Sequence, residues 1–415
     1  MKVSLNRLLL TMLMFVLVLL GEGLTLRSYC LYLVGAMILL QGLSLITKNN
    51  SQLFFSAESG ILLIFMIYSG LSYIWAMNTS LVLYRTKILV FLTILVFVMT
   101  NYLYREGGMT DFVQLYFIMG LFLSFACIFH FGFSGVIQLI VSGTRLGEDE
   151  ALFMGINANT IALDCATAGI IAVFYAEYRK KKLYLLALIP TLLIVVATGS
   201  RKGIVMLLVG IVLAIFFRQM YIGRGKVISF IKLLLAITLV LVVAWFVLQM
   251  PGLEKINEQY MGFINSLIGN TDEVDISTAT RERMVTLGLE QFRKTPVLGI
   301  GLDNGKVINA MYNNFSAYLH NNYIEVLVNG GLVGFLIYYS FFAVLLVKHF
   351  LRLKEHNPLV YISLTLLIIR LISDWGRVSY YDYMNIMTYS FWIAVANKFD
   401  LSNPMRIERV EAFLQ

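Results

Sequence analysis

Charged residues are scarce in this chain: only 13% of its 415 residues are Asp, Glu, Lys or Arg, against about a quarter in an ordinary soluble domain. Proline occurs 5 times and cysteine 3 times. The shortage of charge excludes a soluble globular domain as the bulk of the chain, and the shortage of proline is typical of long helices. The 59% share of hydrophobic residues therefore indicates a membrane protein.

The few cysteines exclude two further classes of site. Cys30, Cys127 and Cys165 lie in or beside apolar segments and have no CxxC spacing, so they form neither a disulfide framework nor a metal site. No cluster of Asp, Glu or His has metal-ligand spacing in the polar segments expected outside, so we expect no metal and no cofactor. The net charge of +8 does not indicate a nucleic-acid partner, because Lys and Arg mark cytoplasmic loops in membrane proteins.

The apolar windows predict an all-α, polytopic membrane protein with about 12 transmembrane helices. The first window follows Lys2 and Arg7 and has no clean signal-peptidase site, so we expect an uncleaved first helix. The windows lie at 8–24, 29–46, 59–76, 88–104, 112–130, 159–177, 183–199, 203–218, 228–249, 322–347, 359–373 and 386–398.

The distribution of Lys and Arg predicts the orientation. Alternate loops are richer in these residues, most clearly at the run RKKK in 179–182, and those loops are expected inside. Arg85 and Lys87 fall in a short loop expected outside. Both termini are then cytoplasmic. Residues 1–249 hold helices one to nine, 250–320 form one large extracytoplasmic loop, and 321–415 hold the last three helices and a cytoplasmic tail.

The large loop carries two amphipathic patterns. The first runs through 253–267, and the second begins after Thr280, which we predict as its N-cap, with Val285, Leu289 and Phe292 on one face. The two short helices either lie flat on the membrane surface or pack on each other as a cap, and the sequence leaves both arrangements open.

Three cationic or titratable positions are candidates for chemistry. His320, where the loop meets the next apolar window, is a ready proton acceptor near neutral pH; the alternative is an interfacial polar residue. Arg201 lies in the short turn ATGSRKG, where its guanidinium can bind phosphate. The alternative is an arginine whose side chain extends to the membrane–water interface. Arg281 and Arg283 open the second loop helix, where free N–H groups already favour anions; an ion pair with Glu282, Asp272 or Asp275 is the alternative.

Further polar residues are candidates for substrate binding. Asp164 lies inside the sixth window, where carboxylates are rare and usually paired, and it is expected to orient an arginine or bind a sugar hydroxyl. The other candidates lie at the expected outer ends of helices and turns: Arg145, Asn159, Asp303, Asn321 and Arg377. The glycines of NGGLVG in 329–334 are expected to permit close helix packing.

These motifs resemble the O-antigen ligase and polysaccharide polymerase family of bacterial membrane glycosyltransferases. The resemblance rests on TGSRKG at 198–203, Thr280-Arg281, PVLGIG at 296–301 and His320-Asn321 with Gly330 ten residues on. It departs from the family at Val285, where many relatives have Trp, and this leaves Arg283 as an alternative to Arg281.

The resemblance implies transfer of a glycan from an undecaprenyl-diphosphate carrier to an acceptor, at the outer face of the bacterial cytoplasmic membrane. Arg201 and Arg281 would neutralise the leaving diphosphate, His320 would deprotonate the attacking hydroxyl, and direct attack would invert the anomeric centre without a metal. The product is either a polymer of O-antigen, capsule or exopolysaccharide repeat units, which we favour, or a glycan ligated to lipid A-core. A flippase and a chain-length regulator are candidate partners.

Three readings from outside this family remain open at the level of sequence. A polysaccharide transporter or flippase would also have many spans, but usually has polar or broken helices near the membrane midplane. A peptidoglycan glycosyltransferase would act on lipid II. A structural subunit of an export complex would have no activity alone.

Overall fold

A computed structural model describes residues 5–19, 29, 32–40, 43, 53–106, 108–142, 146, 156–221, 231, 235, 238, 276–313 and 315–398. These residues contain helices and no strand, which confirms the all-α prediction for this part of the chain. The helices with defined bounds are α1 (Leu5–Leu19), α2 (Ala57–Leu71), α3 (Thr79–Glu106), α4 (Met109–Phe131), α5 (Phe133–Ser142), α6 (Ala158–Tyr178), α7 (Leu188–Ala197), α8 (Arg201–Tyr221), α9 (Ile276–Lys294), α10 (Gly305–Asn313), α11 (Asn322–Arg352), α12 (Pro358–Ser373) and α13 (Tyr383–Lys398).

Six helices of the described residues are long and apolar enough to cross a membrane. They are α2 with its 3-10 extension to Ile74, α3, α4, α6, α8 and α11. Large apolar side chains remain exposed on the bundle, among them Phe129 (92%) and Leu183 (76%), as expected of surfaces that face lipid. The layout of about twelve spans stays a prediction, and most of the window at 228–249 and the first loop helix at 253–267 lie outside the described residues.

Helix α6 forms the centre of the bundle because its small residues let neighbouring backbones approach closely. A Cβ added at Gly120 of α4 would lie 2.7 Å from the Ala168 Cβ, and one added at Gly203 of α8 would lie 2.7 Å from the Ala162 Cβ. Such close contacts between small residues are typical of helix packing in membranes. The result is that the start of α8, which carries Arg201, is fixed against the first turns of α6.

Helix α11 is broken at Gly331, whose φ of 61° and ψ of −167° are not helical. The break frees the carbonyl groups of Val328 and Asn329, which accept hydrogen bonds from the N–H groups of Ile300 (3.0 Å) and Gly301 (3.0 Å). Backbone at membrane depth is tolerated only when its polar groups find partners within the protein. Gly330 and Gly331 therefore permit a backbone-to-backbone contact with segment 296–301. This contact is closer than the helix packing expected from the sequence.

Helix α2 completes the same contact from the other side. The Tyr68 hydroxyl donates to the carbonyl of Gly330 (2.7 Å), and the Trp75 indole N–H donates to the carbonyl of Leu298 (3.1 Å). Three distant parts of the chain, α2, segment 296–301 and α11, are thus joined at one place.

Helix α9 packs as part of a small cap rather than standing alone. Its apolar face enters a buried cluster made of Met284, Ile300, Ile308, Leu319 and Val328. The first loop helix, predicted at 253–267, lies outside the described residues, so the choice between the two arrangements stays open.

Two boundaries differ from the sequence-based predictions. Helix α9 begins at Ile276, so Thr280 is not its N-cap, because residues 276–280 contain no glycine or proline that would delay the helix. Helix α3 begins at Thr79, so Arg85 and Lys87 lie within a helix and not in a loop. Arg85 is tolerated there because it is buried against a carboxylate, described below.

Candidate functional site

The turn before α8 positions two adjacent cations. Gly199 adopts a left-handed φ of 61°, which reverses the chain sharply. The Ser200 hydroxyl accepts a hydrogen bond from the N–H of Gly203 (3.4 Å) and donates one to the Asn159 side chain at the start of α6 (2.9 Å). Arg201 and Lys202 are therefore the first residues of α8, held at the same end of the bundle as the start of α6.

Lys202 links this turn to the loop between α12 and α13. Its amine donates a hydrogen bond to the carbonyl of Gly376. The next residue, Arg377, forms an ion pair with Asp382 of the same loop. Arg377, expected at the end of the last hairpin, thus lies one residue from the point where Lys202 is bound, and the charges of Arg377 and Arg281 both act on Lys202.

His320 lies in a backbone conformation that few residues adopt. Its φ is 55°, in the left-handed region, between buried Leu319 and Asn321. Such outliers persist only where the surroundings hold them, and they concentrate at functional sites. The Asn321 side chain accepts a hydrogen bond from the Ile324 N–H (3.2 Å) and caps α11, so this candidate substrate-binding residue has a structural partner.

A fully buried carboxylate holds the turn that precedes His320. Glu325 is 0% exposed, and its Oε2 accepts a hydrogen bond from the N–H of Leu319 (2.7 Å). Its Oε1 accepts from the Asn329 amide (2.9 Å), and the Asn329 oxygen accepts from the N–H of Gly305 (2.7 Å). The first turns of α11 are therefore tied both to the His320 turn and to the start of α10.

Burial and two positive charges lower the pKa of His320 from 6.5 to about 4. Burial is the larger cause, and the charges of Arg281 and Lys202 add to it. The imidazole is consequently neutral at physiological pH, with a nitrogen free to accept a proton, and it stands among cations that attract an anion. The Tyr318 ring packs 4.4 Å from the imidazole, measured between ring centroids.

Arg281 and Arg283 occupy different environments. Arg281 is half-buried and acts on both His320 and Lys202, whereas Arg283 is exposed and donates to the carbonyl of Tyr312 (3.3 Å). Both lie in the second turn of α9 and not at its free N-terminus, so the free N–H groups of the first turn do not contribute to anion binding beside them. We use the name cation cluster for Arg201, Lys202, Arg281 and Arg377. The charges of Arg281 and Lys202 act on His320, and those of Arg281 and Arg377 act on Lys202, which follows Arg201 directly.

Asp303 belongs to a separate ionic group. Its carboxylate is 0% exposed and accepts from Arg85 (2.9 Å) and Lys306 (3.0 Å). The Arg85 guanidinium also lies 3.7 Å from the centre of the Tyr381 ring. These contacts tie α3 to the turn before α10, and they explain how a charged residue lies within a long apolar helix.

Asp164 accepts a hydrogen bond from the Tyr116 hydroxyl (2.9 Å) and is 3% exposed. It lines a cavity that Arg377 also lines. Asp164 and the cation cluster are therefore neighbours through Arg377. Arg145, expected on the same side, lies outside the described residues.

The sequence did not predict Lys202 or Glu325 as residues of the site. Lys202 follows Arg201 directly and looks like a second interfacial cation. Glu325 stands five residues after His320 in an apolar run, and a carboxylate within a membrane window is the one signal that marks it.

Comparison with known families gives a match over part of the chain. Residues 183–339 match the family model described as O-Antigen ligase. The matched range includes Arg201, Lys202, Arg281, His320 and Glu325. A search of curated proteins finds no match.

Proposed function

From membership of the O-antigen ligase and polymerase family, we propose that this chain transfers a glycan from an undecaprenyl-diphosphate carrier to an acceptor. The observation that carries the proposal is a neutral, half-buried His320 among the charges of Arg281 and Lys202. Such a site combines a proton acceptor with an anion-binding surface, the two requirements of this transfer. The proposed location is the outer face of the bacterial cytoplasmic membrane, with both termini cytoplasmic.

The mechanism follows from the chemistry of the donor. A diphosphate leaves without being protonated, so no general acid is required. Arg201 and Arg281 neutralise the charge that grows on it, and both stay charged at every relevant pH. Lys202, placed by its hydrogen bond to the Gly376 carbonyl, adds a third charge when it is protonated.

His320 accepts the proton of the attacking hydroxyl. Its low pKa keeps it unprotonated, and positioned general bases contribute about 10²–10⁴-fold to rates. Direct attack by the acceptor hydroxyl inverts the configuration of the donor sugar. No step in this scheme uses a metal or a cofactor.

The test replaces His320 by a residue that keeps its backbone conformation. Ala would add strain at a φ of 55°, whereas Asn is enriched in the left-handed region. We expect His320→Asn to lower turnover at least about 100-fold in nanodiscs supplied with lipid-linked donor. His356→Asn is the matched control, since His356 also has a positive φ (49°) and follows α11 at the opposite end of the bundle.

Near-normal turnover of His320→Asn would remove the base assignment. Transfer by the wild-type chain in the presence of EDTA, without movement of glycan across a sealed membrane, separates an enzyme from a transporter. Lack of transfer with lipid II as donor excludes a peptidoglycan glycosyltransferase.

We favour polymerisation of O-antigen, capsule or exopolysaccharide repeat units over ligation. The alternative, transfer to lipid A-core or another surface acceptor, is favoured by the description of the matching family. A deletion strain distinguishes the two activities. Single repeats on the acceptor indicate a lost polymerase, and long chains left on the carrier lipid indicate a lost ligase.

A further inference from the structure

A narrow polar cavity adjoins the cation cluster. It has a volume of about 40 Å³ and lies between α6, α8, α12 and α13. Thr160, in the first turn of α6, and Arg377 line it near the end of the bundle that holds the cation cluster, and Trp392 lines it two turns into α13. We call this cavity the shaft.

Three buried polar atoms of the lining have no hydrogen-bond partner within the described part of the chain. They are Asp164 Oδ2, Arg370 Nε and Trp392 Nε1. Asp164 is 3% exposed, Arg370 is 4% exposed and Trp392 is 1% exposed. An unsatisfied buried polar group is destabilising, and native proteins usually satisfy such groups with water or a ligand.

The chemistry of these atoms defines the missing partner. A carboxylate oxygen accepts, whereas a guanidinium N–H and an indole N–H donate, so the partner both donates and accepts. A hydroxyl group does both. An anion is disfavoured by Asp164 and a cation by Arg370, and the volume limits the occupant to one hydroxyl or hydroxymethyl group or about two to three waters.

The tyrosine partner of Asp164 leaves one oxygen available for this role. The Tyr116 hydroxyl donates to Oδ1, which fixes the carboxylate and leaves Oδ2 without a donor. Arg377 lines the shaft, and its charge acts on Lys202 of the cation cluster, so a sugar held at the cation cluster lies beside the shaft.

We propose that the shaft is a subsite that receives one hydroxyl-bearing arm of the glycan, bound by Asp164 Oδ2, Arg370 Nε and Trp392 Nε1. The proposal rests on the proposed glycan transfer and adds to it a site that selects the sugar. Water fills the same space when no glycan is bound.

The test measures glycan binding separately from turnover. The full chain in nanodiscs is titrated with the undecaprenyl-linked glycan fraction extracted from its source cells, and the dissociation constant is read by native mass spectrometry. We expect Asp164→Asn to weaken binding about 10-fold to 100-fold and Trp392→Phe about 2-fold to 10-fold, because the hydroxyl meets a charged group at Asp164 and a neutral donor at Trp392. Phe removes the indole N–H and keeps most of the apolar volume.

The matched control is Thr100→Val, which removes a buried hydroxyl that also has no hydrogen-bond partner but lies on α3, outside the shaft. We expect this variant to bind like the wild type. If the two shaft variants bind glycan as tightly as the wild type and change only the thermal stability, the shaft holds water alone and the proposal is wrong. If glycan binds and the shaft variants weaken it while the wild type shows no transfer, the proposed activity fails and the subsite stands.

Discussion

Replacing Lys202 by Gln tests how the cation cluster controls His320. Two charges, those of Arg281 and Lys202, add to burial in lowering the pKa of His320 from 6.5 to about 4. Each pKa unit corresponds to about 1.4 kcal/mol. The lowered pKa therefore means that the site disfavours the protonated imidazole by about 3 kcal/mol. Gln keeps a donor for the Gly376 carbonyl and removes the charge, so the pKa of His320 should rise toward its ordinary value.

The sign of the effect on activity follows from the base role. A base works only when it is unprotonated, so a low pKa shifts the acid limb of the pH–rate profile to lower pH. At pH 5.5 an imidazole of pKa 6.5 is only about 10% neutral, whereas one of pKa about 4 is about 97% neutral. We therefore expect wild-type kcat/KM to stay flat from about pH 7 down to about pH 5.

The assay is initial-rate glycan transfer in nanodiscs between pH 4.5 and pH 8. Lys202→Gln should shift the acid limb upward by a small part of the total shift, because burial and Arg281 still lower the pKa of His320, and activity at pH 4.5 relative to pH 7.5 should fall below the wild-type ratio. The control is Lys294→Gln, which removes an exposed cation at the end of α9. An acid limb near pH 6.5 in the wild type, or one that is unmoved in Lys202→Gln, would refute the electrostatic reasoning.

Three further predictions follow from individual contacts. Arg281→Ala should raise the KM for lipid-linked donor about 10-fold or more, whereas exposed Arg283→Ala should change it less than about 2-fold; equal effects in kinetic titrations would contradict the assignment. Glu325→Gln should lower kcat with little change in KM, because Gln cannot accept at both oxygens and the Leu319 turn loosens; a change confined to thermal stability would show a structural role alone. Gly331→Ala should lower the midpoint of thermal inactivation or abolish expression, because its Cβ would lie 2.2 Å from a backbone oxygen, and normal stability would count against the broken helix.

Periodicity and hydropathy predicted the helices that cross the apolar layer, because long apolar runs have few alternatives in lipid. The windows at 112–130 and 159–177 lie within α4 and α6. The start of α9 was harder to predict, because Thr280 is acceptable both as an N-cap and as a residue within the helix. Only the tertiary packing of α9 decides between these two positions.

The contacts around the site depend on long-range packing and could not be read from local sequence. The ion pair of Arg85 with Asp303 joins residues 218 positions apart, so no local pattern reveals it. The left-handed φ of His320 is likewise set by Glu325 and the cap of α11. Sequence therefore supplied the chemical types at the site, and tertiary structure supplied their spacing.

The break in α11 constrains the order in which the protein assembles. Tyr68 and Trp75, which complete the contact at the break, are made more than 200 residues before Gly330 and Leu298 need them. Synthesis from the N-terminus thus places α2 in the membrane first, so that the exposed carbonyls of a newly inserted α11 meet waiting donors instead of hydrocarbon. A chain permuted to begin after α2 would insert the broken helix without these donors. We expect membrane quality-control proteases to degrade such a chain.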